Sequence, residues 1–185
     1  GAIIVFSLGQ IEQIATSSRE IAANSLKTVL LARDAQAAAQ AGAIHLHELF
    51  MLPDKAHRIP VYTAIDKTTA RREAAISALF AADDGSPDRR ELDEVARHRD
   101  RYVAAFDKTV EAVELDTDTA RAVMLSDTLP ALNGMLGALD RLVARQSDRA
   151  ESTLAGIRDL ETESGRDILL LGMATVLIAC LSSLI

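Results

Sequence analysis

Two arginines, a tyrosine and three threonines are the residues of this chain whose types and spacing could do chemistry together. Most fall in two stretches, Thr68-Thr69-Ala70-Arg71-Arg72 and Arg99-Asp100-Arg101-Tyr102. Each lies in a helix-period pattern, and in each a polar residue stands where the pattern expects an apolar one. With Val61, Ile65, Ile76 and Leu79 inward, Thr68 and Arg72 point the same way, with Thr69 at the edge. With Leu92, Val95, Val103, Phe106 and Val110 inward, so do Arg99 and Tyr102. Positions 72 and 99 each lie about 13 residues from a turn near 85 and 86, so antiparallel packing sets them level. Thr69 and Tyr102 are level by the same count, and reflection through the other turns brings Gln40 to Ile44 and Thr128 to Asn133 to this height.

Two guanidinium groups at one level of an interior repel, and burying either without a partner costs several kcal/mol. Glu73, Asp100 and Asp127 fall off the inward stripes, so no carboxylate is expected between them. A bound organic anion resolves the conflict, because arginine forks pair with carboxylates and hydroxyl groups satisfy the remaining oxygens. The alternative is that both side chains run along the helix surface to water or to the off-stripe acids. The candidate ligand-binding residues are Arg99, Tyr102, Arg72, Thr69, Thr68 and Thr128. No inward aspartate stands ready for an α-ammonium group, which favours di- or tricarboxylic acids over amino acids.

Other chemistry is poorly provided for. There is no Ser–His–Asp grouping, phosphate loop or carboxylate pair with a cleft, so the chain is not expected to be an enzyme or to carry a cofactor. His45 and His47 are two apart and do not share a helix face, so no metal site is expected; His47 is expected to line the upper core. Lys67 and Arg71 read as a solvated face. A net charge of −7 argues against a nucleic-acid partner, since phosphate binding needs clustered Lys and Arg. The one cysteine, Cys180, rules out an intrachain disulfide.

The elements that must position the arginines are long helices. Hydrophobic residues make up 49% of the 185, but aromatics only 3%, an Ala, Leu, Val and Ile surface suited to helix packing rather than sheets. The first helix is expected over 11–52, with Ile14, Ile21, Leu26, Leu30, Ala37, Ile44 and Met51 recurring on one stripe. Pro53 and Arg58-Ile59-Pro60 predict a break. The second helix is expected over 61–82, and Gly85-Ser86-Pro87 reads as a stop followed by an N-cap and first turn. The third is expected over 88–114. Asp116-Thr117-Asp118 offers caps for a fourth, which runs through Leu125, Leu132, Met135, Leu139, Leu142, Leu154 and Ile157, with Pro130 and Gly134 as bend points.

Residues 168–185 are an uncharged apolar run, about 27 Å of helix, close to the thickness of a bilayer core. They predict a membrane helix, and residues 1–9 the end of an earlier one. The fold class is therefore all-α: an antiparallel up-down-up-down four-helix bundle over 10–167, its first and fourth helices continuing into membrane spans.

Read together, the long Ala-rich first helix, Arg97-His98-Arg99-Asp100-Arg101-Tyr102, the Asp116-Thr117 turn and Leu129-Pro130-Ala131-Leu132 leading to the terminal span resemble a known family. It is the four-helix-bundle sensor domain of bacterial methyl-accepting chemotaxis receptors. The resemblance covers essentially the whole chain. It implies a ligand-binding bundle in the periplasm, anchored in the cell membrane and assembled as a parallel homo-oligomer, usually a dimer. It also implies small carboxylate ligands, such as citrate- or malate-like acids, and signalling partners reached through cytoplasmic regions beyond Ile185. Arg33 could match the arginines that some members use at a dimer interface, with surface placement or an intrahelical ion pair as the alternative. Membrane histidine kinases carry similar bundles, and a purely structural or protein-interaction bundle is the other alternative.

Overall fold

The computed structural model describes residues 2–82, 89–153 and 155, with side chains from residue 16 onward except 18 and 19. The chain divides into two compact units, Asn24–Ser147 and a second comprising Gly1–Ala23 with Asp148–Ile185. The packing described below is that of Asn24–Ser147. The expected turn at 85–87, the apolar run 168–185, Cys180 and Ile157 lie outside the described residues, as do the side chains of Ile14 and Leu154. Among the described residues no helix is long and apolar enough to cross a membrane.

Helix α1 spans Ala2–Leu49, α2 Lys55–Ala81, α3 Arg89–Leu115 and α4 Thr117–Val123. A π-helical turn at Met124–Thr128 leads without a break into α5, over 129–153, so α4, the turn and α5 form one rod. Among the described residues there is no strand. Adjacent helices run in opposite directions. Arg58 and Arg99 tie α2 to α3 through Val113 and Glu73, and Glu94 and Lys108 tie α3 to the rod through Arg141 and Asp127. Arg33 and Gln36 of α1 both reach Asp140 of α5. This is the expected all-α antiparallel four-helix bundle.

Local sequence sets most of the boundaries. Asp54 caps α2 by accepting from the His57 amide, so the helix begins six residues before the expected Val61 and carries Pro60 inside it. Proline there removes one intrahelical donor close to an exposed end, where water can take the freed carbonyl. Asp116 caps α4 through the Thr119 amide at 2.9 Å, as the sequence implied.

The inward face of α1 is not the expected one. Ala32, Ala35, Ala39, Leu46 and Leu49 are fully buried, whereas Ile21, Leu26, Leu30, Ile44 and Met51 are between 38% and 76% exposed. Small side chains at Ala32, Ala35 and Ala39 let the neighbouring helices approach closely there, and Leu26, Leu30 and Ile44 are left on the outer face, while Leu46 and Leu49 still face the core. His47, expected in the upper core, is also exposed and stands edge-on to Phe50.

The rod departs from a plain helix for a reason visible in its spacing. Ala120, Met124, Thr128 and Leu132 are all buried, at intervals of four. In a straight α-helix each such step overshoots a turn by about 40°, and three would carry the stripe about 120° off the core. The π turn absorbs the surplus: the Leu129 amide bonds back to Met124, a wider ring than the α-helical one. Pro130 favours the distortion, because it cannot donate to Ser126 and its ring would clash with that carbonyl in a straight helix. Leu125, expected inward, is 61% exposed as a result. Deleting Ser126 should return the buried stripe to ordinary α-helical spacing and leave a folded bundle by circular dichroism. Deleting Gly137 from α5 should instead swing Leu139 and Leu142 about 100° off the core and abolish the cooperative unfolding transition.

Candidate functional site

At mid-height of the bundle Arg72 is only 3% exposed and Tyr102 is fully buried. The Arg72 guanidinium lies over the Tyr102 ring, 5.1 Å from its centroid, a cation–π contact strengthened by the loss of water. The Tyr102 ring packs edge-on against Phe106 at 5.6 Å. Its hydroxyl donates to the Ala39 carbonyl of α1 at 3.3 Å. Burial pushes the phenol up to about 12, with Arg72 pulling the other way, so it stays a hydrogen-bond donor at neutral pH.

Arg72 and Arg99 are level, as the count from the turn predicted, and what holds them level is Glu73. Its Oε1 accepts from Arg72 Nε at 3.1 Å and lies 3.0 Å from Nη2. Its Oε2 accepts from Arg99 Nε at 2.8 Å and from Arg99 Nη2. The expectation that no carboxylate stands between the arginines is corrected here. Glu73 is one residue round from the inward stripe, which puts it in the seam between α2 and α3 rather than outside the bundle. Arg99 is corrected likewise: its side chain is 37% exposed and sits in that seam, not in the interior. Its Nη1 reaches Asp100 at 3.0 Å on the solvent side, where the Asp100 side chain is 69% exposed.

The charges answer to this geometry. Burial pushes the Glu73 carboxyl up, but the hydrogen bonds from Arg99 and Arg72 outweigh it, and the net shift is downward. Donating to the Glu73 carboxylate holds the Arg99 guanidinium above its usual value. Two guanidinium groups thus share one carboxylate in the seam.

The threonines divide. Thr68 is half-buried and its hydroxyl donates to its own helix, at Ala64 or Ile65. It converges with Tyr102 on Gly42 of α1: a Cβ placed there would stand 3.5 Å from Thr68 Oγ1 and 3.8 Å from the tyrosine oxygen. The Gln40 to Ile44 segment is therefore at the expected height. Thr69 is half-buried on the same turn of α2. Thr128 does not join them. It is fully buried beside Thr109, with 2.8 Å between the hydroxyl oxygens, and donates to the Ala105 carbonyl at 2.9 Å. On α5 it is Gly134 that meets α3 at His98, six residues or about 9 Å of helix from Thr128.

The remaining polar candidates are paired on the surface. Arg33 bonds Gln36 and crosses to Asp140; Arg71 crosses to Asp34 at 2.8 Å; His45 meets Glu48. Among the described residues no group of three or more His, Cys, Asp or Glu side chains could hold a metal ion.

An all-α antiparallel bundle with a charged layer at mid-height is the class that fold and site define. The family described as a four helix bundle sensory module for signal transduction matches residues 1–156, and the chain belongs to it. That agrees with the resemblance to chemoreceptor sensor domains, and the family is one of sensory modules rather than of enzymes. No curated protein matches the chain.

The lowered Glu73 pKa has a definite sign in stability. A carboxylate depressed below its ordinary 4.5 contributes fully above that pH and loses its contribution as pH falls through the folded-state value. Wild-type chain should therefore resist urea better than Glu73→Gln near neutral pH, and the gap should close steadily as the buffer is taken below about 4.5. A gap that is constant with pH would mean that the carboxylate's charge contributes nothing.

Proposed function

We propose that this sensory module recognises a small organic di- or tricarboxylate at the level of Arg72 and Arg99, with Tyr102, Thr68 and Thr69 around it, and passes the binding event along the first and last helices to a membrane-bound signalling protein. The observation that carries the reading is a buried guanidinium, Arg72, levelled with a second in a seam that supplies one carboxylate for both. Guanidinium forks recognise carboxylates geometrically, and a desolvated one does so more strongly than one in water. Differential binding of a few kcal/mol is enough to shift two closely balanced arrangements of a bundle. Family membership supports the sensory role. The apolar run 168–185 supports a membrane anchor, with the bundle on the periplasmic side.

In a thermal-unfolding screen of organic acids, a few related di- or tricarboxylates should raise the melting temperature. At a hundredfold excess over Kd the stabilisation is about 2.7 kcal/mol. Arg72→Ala and Arg99→Ala should each lose most of that response. An Arg99→Ala variant that keeps full affinity for an active acid would sink this reading.

We further propose that the module works as a parallel homodimer joined along α1. Leu30, Ala37 and Ile44 recur at intervals of seven on the exposed face, with Leu26 at 59% exposure one turn before them. A heptad-spaced apolar seam is self-complementary between parallel helices. Ile44→Glu should weaken self-association at least tenfold in sedimentation experiments. Because Ile44 is 61% exposed, unfolding of the monomer should change by no more than about 0.5 kcal/mol.

A further inference from the structure

Arg72 and Glu73 are neighbours with unequal freedom. Arg72 is almost wholly buried, and its guanidinium is held over a ring that is itself fixed by Phe106 and by the α1 backbone. The Glu73 side chain is 30% exposed at the edge of the seam. The cation cannot leave without emptying the core, whereas the carboxylate reaches water by rotating its side chain. Glu73 also makes the contacts that an incoming acid would make: each oxygen faces one guanidinium, and the two together bridge the arginines.

We infer that Glu73 is an internal counter-anion occupying the anion site of the empty module, and that an organic acid binds by taking its place between Arg72 and Arg99. The inference rests on the carboxylate reading above and adds how the site is kept ready. The buried cation is never left unpaired, so the empty bundle is stable. Binding exchanges one carboxylate for another, so its strength is a difference between two similar interactions rather than the full attraction of a vacant site. That sets a low affinity for simple acids and selects those whose second carboxyl or hydroxyl group finds partners that Glu73 does not use, such as the Thr68 and Thr69 hydroxyls. The exchange also frees Glu73 to swing outward, which changes the α2–α3 seam between the two states.

The test is malonate binding to the full chain, followed by thermal unfolding against sodium chloride at matched ionic strength. Glu73→Gln keeps the side-chain shape and removes the competing charge, and it should bind malonate at least tenfold more tightly than wild type. Glu73→Asp, which withdraws the carboxylate by one methylene, should show an intermediate gain, and it serves if the glutamine variant does not fold. Affinity in the variants equal to or weaker than wild type, or no malonate response in any of the three proteins, overturns the inference. A response in Glu73→Gln alone shows that Glu73 blocks the anion site rather than yielding it, and overturns the inference together with the carboxylate reading of the wild-type chain. A wild-type response that depends on Arg99 but is not enhanced in the variants leaves the function standing and removes the role of Glu73.

Discussion

The interior position of the Arg72 guanidinium is the constraint on which the middle of the bundle depends. A cation with almost no exposure must be paired and its donors satisfied, or its burial costs more than the surrounding packing returns. Glu73 meets the charge and carries Arg99 with it, which fixes α2 against α3 at one register. Tyr102 meets the face of the cation, and its hydroxyl is turned onto Ala39, which carries the restraint to α1. One buried charge thus determines how three of the helices line up. The fourth side is set separately, by the Thr109 and Thr128 hydroxyls and the ion pairs from α3 to α5.

The first helix is two-faced in an unusual sense, since both faces are apolar but only one belongs to the core. Its alanines bring α2, α3 and α5 close, Leu46 and Leu49 join them in the core, and Leu26, Leu30 and Ile44 look outward. An apolar seam on that scale is a feature that soluble monomers avoid. The π turn in the last rod is a device of the same kind, a local departure made to keep a buried stripe in phase. It sits between the cap at Asp116 and the level of the arginines.

Much of the fold was legible because period and punctuation are local properties. Asp116 followed by Thr119 is a cap wherever it occurs in an exposed turn, and Leu92, Val95 and Phe106 could face only one way. The stripe on α1 misled because hydrophobicity ranks leucine and isoleucine above alanine, while the bundle selected for small size on that helix. The early start of α2 was masked by Pro60, whose cost is small near an exposed helix end. Arg72 and Tyr102 were found because a polar residue on an apolar stripe is conspicuous. Glu73 was missed because it lies one position off its stripe, although its level with Arg99 across the antiparallel pair could have been counted.

By itself the sequence determined the all-α class, the antiparallel order and the level of the two arginines, since these follow from helix period, caps and distances along the chain. It did not determine who answers the charge. Whether an off-stripe acid points to water or into a seam depends on how two helices rotate about their own axes, and that rotation is fixed only when the whole core packs. The tertiary structure placed Glu73 between Arg72 and Arg99, set Thr128 apart with Thr109, and turned Leu26, Leu30 and Ile44 of α1 outward. Each of those outcomes is a matter of helix rotation, which one helix's pattern cannot specify without its neighbours.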